Sequence, residues 1–255
     1  MDKHIGAQLF TLREFCNTAE DLDATCKKLR DIGYSILQVS AVGPIPAAKI
    51  REIADYYDMK IVCTHRSFDD FLSDLDEIIA YNQALGCELA GVGMMPNRYL
   101  EDYDSVMEFV QQSNACAKRL KENGLYFGYH NHAIEFVKYN GKFLYDYLIE
   151  ETDPDAYRFI ADTYWMAFSG IDPARQIKQL GERAMAVHFK DLMAKPDNSV
   201  TMCEVLEGNL DWDSIIAACE DAGSRWALVE QDVCERNPFD SMAISYQNLK
   251  AKGFC

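Results

Sequence analysis

The sequence predicts one α/β domain, a single (β/α)8 TIM barrel spanning residues 1–255, and three observations carry that prediction. Short apolar runs recur down the chain, each preceded by an amphipathic helical stretch and a Gly or polar turn. Eight such runs can be counted, and alternating strands and helices imply parallel pairing, because a helix supplies the right-handed crossover that parallel neighbours need. The length of 255 residues suits a closed barrel, and no G-x-G-x-x-G follows the first strand to favour an open dinucleotide-binding sheet.

The elements follow in order. "IGAQLF" opens the chain as a strand near residues 5–10. In "LDATCKKLRDIGYSILQVS" the apolar positions Leu22, Cys26, Leu29 and Ile32 recur at helical spacing, Gly33 ends the helix, and a second strand occupies 36–40. "IREIADYYDMKIVCTH" repeats the unit without the glycine and places strand three at 60–65. "EIIAYNQALGCELAGVG" turns at Gly86 into strand four, 88–93, and "ACAKRLKENGLYFGYHNH" turns at Gly124 into strand five, 125–130. A Pro-containing turn in "YDYLIEETDPDAYRFIAD" leads to strand six, 157–162. Gly181 precedes strand seven, 184–189, and Gly223 precedes strand eight, 226–230.

Composition narrows the partners. Forty-one acidic against 25 basic residues give a formal charge of −16, a field that repels phosphate backbones and anionic lipid, so neither nucleic acid nor a membrane is expected as a partner. With no leader-like start and no membrane-length apolar run, a cytoplasmic protein is expected. The nine cysteines form no CxxC pair and read as small buried hydrophobes. Homo-oligomerisation is compatible with this surface.

Barrel active sites lie at the C-terminal strand ends, and here those ends are polar. Four of the five histidines fall there: His65 on strand three, His130 and His132 in "YHNH" after strand five, and His188 in "VHFKD" on strand seven. Asp162 ends strand six, Lys190 follows His188 by two, and Glu230 ends strand eight. Alternation along a strand turns residues two apart to one face, pairing His130 with His132 and His188 with Lys190. A single strand-end His can simply satisfy a carbonyl, and Asp162 can cap the next helix. His130, Asp162, His188 and Glu230 arriving from four neighbouring strands read instead as a metal set. Two imidazoles and two carboxylates suit one divalent ion such as Mn²⁺, Co²⁺, Fe²⁺ or Zn²⁺, with Mg²⁺ admitted.

The ordered motifs "GAQLFTLRE", "YHNHAIEF", "ADTYWMAFSGIDP", "VHFKD", "EGNLDW" and "WALVEQD" resemble the xylose isomerase-like sugar phosphate isomerase and epimerase superfamily over essentially the whole chain. The resemblance implies a barrel that holds a divalent metal through strands five to eight. Asp162, His188 and Glu230 match three ligand positions, and His130 stands where many members carry Glu. It further implies proton transfer beside a carbonyl of a small carbohydrate, with Glu230, His132 and Glu135 as the acid-base candidates. Lys190, Glu135, Gln8, His65 and Trp165 are then substrate contacts, with Phe10 and Phe68 as aromatic neighbours. Arg13 occupies a recurrent position, read either as a phosphate contact or as a structural ion pair.

An isomerase or epimerase of keto-sugars is the leading expectation. A lyase on the same scaffold, dehydrating a keto-inositol or eliminating an aglycone from a 3-keto glycoside, is the alternative, and the missing strand-five Glu moves weight toward it. An endonuclease is disfavoured by five histidines and the net charge, while a non-catalytic subunit would lack tightly bound metal. Substrate choice is expected to reside in loops 94–104 and 192–210.

Overall fold

The computed structural model describes residues 1–255. Eight strands close into a barrel: β1 (Ile5–Gln8), β2 (Ile36–Val39), β3 (Lys60–Arg66), β4 (Leu89–Val92), β5 (Tyr126–His130), β6 (Tyr157–Asp162), β7 (Ala184–Phe189) and β8 (Trp226–Val229). Every adjacent pair is parallel, and β8 returns to pair with β1. The outer ring contains α1 (Ala19–Ile32), α2 (Ala47–Tyr56), α3 (Phe68–Ser73), α4 (Leu75–Leu85), α5 (Tyr103–Glu122), α6 (Leu144–Glu150), α7 (Thr163–Phe168), α8 (Pro173–Leu180), α9 (Trp212–Ala222) and α10 (Pro238–Ala251).

Local chemistry explains the boundaries. The Thr18 hydroxyl accepts from the Asp21 amide while the Asp21 carboxylate accepts from the Thr18 amide, a reciprocal cap that starts α1. Gly86 and Gly223 end α4 and α9 in the left-handed conformation, as their punctuation predicted. Strand one is shorter than expected. Gln8 caps a 3-10 helix over Leu9–Phe15, so Phe10 lies beyond the strand rather than at its end.

The two sides of the barrel wall bury different things. Outward-facing residues join a cluster of 62 buried side chains between sheet and helices. A second cluster of nine, including Ile36, Cys63, Leu89, Ile160, Ala186 and Leu228, fills the interior. Two residues further along their strands, Gln38, His65, Asp162, His188 and Glu230 point the same way, so an apolar plug lies beneath a polar rim. Glycine makes the plug fit: a Cβ on Gly6 would lie 2.3 Å from Leu228 Cδ2, and one on Gly91 would lie 2.3 Å from the Thr64 carbonyl.

Two hairpins interrupt the helix-strand alternation, one pairing Lys138–Tyr139 with Lys142–Phe143 and the other pairing Asp191–Ala194 with Val200–Cys203. The segment after the second hairpin folds around Asp191. Its carboxylate accepts from the amides of Leu192, Leu206 and Gly208 at 2.7–3.1 Å and from Trp212 Nε1 at 2.6 Å, which gives "EGNLDW" a structural reason. Trp212 and Trp226 are buried, and seven of the nine cysteines are buried free thiols. No helix is long and apolar enough to cross a membrane.

Candidate metal and substrate site

The four expected metal ligands meet. One ligand atom from each of His130, Asp162, His188 and Glu230 lies within 4.8 Å of the other three, and all four residues are buried. His130 ends β5, Asp162 ends β6, His188 lies near the end of β7, and Glu230 immediately follows β8.

The outer face of each imidazole decides what its inner face offers. His130 Nδ1 lies 2.9 Å from the Gly93 carbonyl, which can only accept, so that nitrogen carries the proton and Nε2 turns a lone pair inward. His188 Nε2 donates to Gln38 Oε1 at 2.7 Å and leaves Nδ1 facing the same point. The two bare nitrogens are 3.1 Å apart, with Asp162 Oδ2 3.2 Å from the first and Glu230 Oε2 2.9 Å from the second. Four lone-pair donors converging in a buried site repel one another unless a cation stands among them. Burial alone would lower the His188 pKa, but Glu230 and Asp162 outweigh it and push it up to about 9, so in the metal-free chain a proton occupies this point of negative potential. The donor set fits a divalent ion, with the Gly93 carbonyl and the Gln38 amide oxygen already fixing both rings.

Local charge agrees. Lys190 is buried, with Nζ 2.6 Å from Asp232 Oδ1, 3.2 Å from Glu230 Oε2 and 3.5 Å from Asp162 Oδ2. Burial opposes the charges of Asp162 and Glu230, but Lys190 and the histidines hold both carboxyls below their ordinary range. Three carboxylates around one ammonium leave two negative charges, which a divalent cation balances. Asp162 has a second function, for its Oδ1 accepts from the Trp165 amide at 2.9 Å and caps α7.

A cavity of about 530 Å³ opens beside the cluster, lined by His65, His130, His132, Lys190, Glu230 and Asp232 on its polar side and by Phe10, Phe68, Met94, Met95 and Pro96 on its apolar side. That volume lies in the usual range for small-molecule sites. A second recess, of about 510 Å³, lies at the opposite, N-terminal end of the barrel around His4, Arg51 and Lys60 and shares no residue with the cluster.

The expected substrate contacts divide. His65 and His132 line the cavity, and His65 Nε2 and His132 Nδ1 are buried without a partner, as is Trp165 Nε1. Burial, aided by the neighbouring His130, lowers the His132 pKa to about 3 and that of His65 well below its ordinary value, so both rings are neutral. Trp165 packs on His132 at 5.2 Å between ring centroids. Gln8 lies behind His65, 3.5 Å from Nδ1.

Glu135 is elsewhere. It is fully buried, with Oε1 accepting from the Tyr129 hydroxyl at 2.5 Å and Oε2 from the His132 amide at 2.7 Å, and it does not line the cavity. The short 3-10 turn at Ile134–Phe136 folds its side chain toward outward-facing Tyr129. It braces the backbone of His132 instead of facing a substrate. Arg13 makes no ion pair: it donates to the carbonyls of Phe10 (2.8 Å) and Asp232 (3.2 Å), tying the segment after β1 to the loop after β8. Gln38 and Asp232 were not singled out from the sequence, although each sits two residues along from an inward-facing neighbour.

Comparison with known proteins places this geometry. The curated inosose dehydratase of Bacillus cereus (strain AH820) is 23% identical over 194 residues, 67% of this chain and 63% of that protein, so the chain spans less than two thirds of the relative's length. A sugar phosphate isomerase/epimerase structure from Parabacteroides distasonis ATCC 8503 superposes with a TM-score of 0.81 at 19% identity, covering 98% of this chain and 94% of the other. A probable 3-DHS dehydratase from Bacillus anthracis superposes with a TM-score of 0.78 at 13% identity over 97% and 98%. The profile of one family matches residues 26–250, and by that match the chain belongs to the xylose isomerase-like TIM barrel family.

Proposed function

We propose that the protein is a metal-dependent isomerase or epimerase that moves a proton beside the carbonyl of a small keto-carbohydrate. The observation that carries this reading is the convergence of two tautomer-locked imidazoles and two carboxylates beside a cavity of monosaccharide scale. A divalent ion held by His130, Asp162, His188 and Glu230 supplies Lewis acidity toward the carbonyl oxygen and so acidifies the adjacent C–H.

The chain's own groups do the rest. Glu230 Oε2 is engaged by His188 and Lys190, which leaves Oε1 without a protein donor as the acceptor for the carbon-bound proton. Lys190 fixes Glu230 and Asp232 in place and holds the Glu230 carboxyl below its ordinary range. The partnerless nitrogens of His132 and His65 meet substrate hydroxyls, and Glu230 returns the proton it has taken up, to the same or the neighbouring carbon. Glu135 orients His132 through its amide. The Trp165 ring supports His132 from behind.

A lyase is the second reading, and one specific observation favours it. With both Glu135 oxygens engaged by Tyr129 and His132, Glu135 is not available as a second, symmetric base, and elimination needs only one. The curated relative bearing the name inosose dehydratase is in keeping with this.

The test is metal analysis by mass spectrometry on wild type and His130→Ala, followed by incubation with keto-sugars in D₂O. One metal per wild-type chain, lost in the variant, together with deuterium in recovered sugar supports proton transfer. Deuterium with loss of water or of an aglycone selects the lyase. Metal binding without exchange into any ketose would sink the reading.

A further inference from the structure

The cations around the cavity are all committed to the protein itself. Of the basic side chains lining it, Lys190 is enclosed by Asp162, Glu230 and Asp232, and Arg66 pairs with Asp70 at 3.4 Å and Glu77 at 3.2 Å while lying over the Tyr81 ring. Arg98, in the loop after β4, pairs with Asp69, itself a lining residue, and Arg13 donates to two carbonyls. The first turn of α3, which opens at the mouth, already carries Asp69 and Asp70. One stretch of the wall is apolar, formed by Phe10, Phe68, Met94, Met95 and Pro96.

We propose that the substrate is an unphosphorylated, electroneutral carbohydrate whose ring packs its C–H face on the Phe10, Met94 and Pro96 wall. This rests on the proton-transfer reading given above. A phosphate dianion entering the cavity would have to displace a carboxylate from Arg66 or Arg98, and the displaced carboxylate would stay beside it, unpaired. Like charges brought together in this way are a strong selective element. A neutral ring meets no such obstacle, because hydroxyls find the partnerless nitrogens of His65 and His132 while C–H groups find the apolar wall.

The test uses metal-loaded protein and matched pairs: D-fructose with D-fructose 6-phosphate, D-tagatose with its 6-phosphate, and D-xylulose with its 5-phosphate. Solvent deuterium exchange is measured for each, and binding of each is measured by calorimetry. The expected result is a preference for the free ketose of about 100-fold in kcat/KM, narrowed about tenfold in Asp70→Asn/Glu77→Gln, where Arg66 is released. A phosphate ester processed as well as or better than its free sugar overturns the proposal. If no sugar exchanges although metal is bound, the proton-transfer reading fails on its own, and calorimetry still decides the substrate class: tighter binding of the esters overturns it, weaker or absent ester binding upholds it.

Discussion

Replacing Asp162 with Asn separates the two functions of one side chain. Oδ1 caps α7 through the Trp165 amide, a contact worth about 1 kcal/mol that the Asn carbonyl oxygen retains. Oδ2 faces His130 Nε2 and Lys190, and an amide NH₂ there offers no anionic ligand. In wild type, metal at a hundredfold excess over Kd stabilises the fold by about 2.7 kcal/mol. For a domain of this size that is roughly a 5–10 °C rise in Tm. Asp162→Asn should show no metal-dependent rise, yet melt within a few degrees of metal-free wild type, because the cap survives and one of three clustered carboxylates is gone. Asp162→Ala should lose the cap as well and fall by about 1 kcal/mol further. The assay is scanning calorimetry of each protein in chelator and across a metal titration, with bound metal counted by mass spectrometry. Stoichiometric metal and an undiminished Tm rise in Asp162→Asn would refute the assignment of the centre.

Other perturbations probe the supporting groups. Gln38→Leu removes the acceptor that holds His188 Nε2–H, so metal affinity measured against a competing chelator should weaken about 10- to 100-fold, and an unchanged Kd would show that the amide does not fix the ring. Burial, only partly offset by the bonds from Tyr129 and His132, pushes the Glu135 pKa up to about 7 from 4.5, so its protonated form is favoured in the fold. Stability from this group is therefore full below pH 4.5 and falls as pH rises to 7, by about 3 kcal/mol at most. Glu135→Gln mimics the protonated form, and denaturant unfolding should show its advantage over wild type growing across that interval; parallel profiles would contradict this. Asp191→Ala orphans the amides of Leu206 and Gly208 and the Trp212 indole, costing about 2–4 kcal/mol and exposing residues 204–212 to protease while metal content stays unchanged.

The barrel was legible because its signals are periodic and local. Helical spacing, glycine turns and apolar runs located all eight strands, with β6 and β7 at the expected bounds. The 3-10 helix at Leu9–Phe15 was not legible, since Gln8 capping Phe10 is a side-chain choice that the apolar run "IGAQLF" does not announce. Neither were the two hairpins, which are short detours inside loops. At the site, polar strand ends picked out the four residues whose ligand atoms converge. Gln38 escaped notice because strand two ends without a titratable group, although a lone amide two residues from Ile36 in "ILQVS" is the signal that could have found it. Glu135 was misplaced because one turn of backbone after β5 decides whether its carboxylate faces the cavity or Tyr129, and spacing cannot show that direction.

The mouth of the barrel is divided by strand number. Strands β5 to β8 carry the metal cluster, whereas Phe10, Arg66, Phe68 and Met94, which shape much of the cavity, follow β1, β3 and β4. The ligand cluster and most of the apolar cavity wall thus come from different half-barrels, joined at two seams, β4 with β5 and β8 with β1. Two bonds cross between the halves and fix the imidazoles, Gln38 to His188 and the Gly93 carbonyl to His130, so the first hundred residues can change only around those acceptors. A front half grafted ahead of β5 would have to bring the same two acceptors to keep both rings in register.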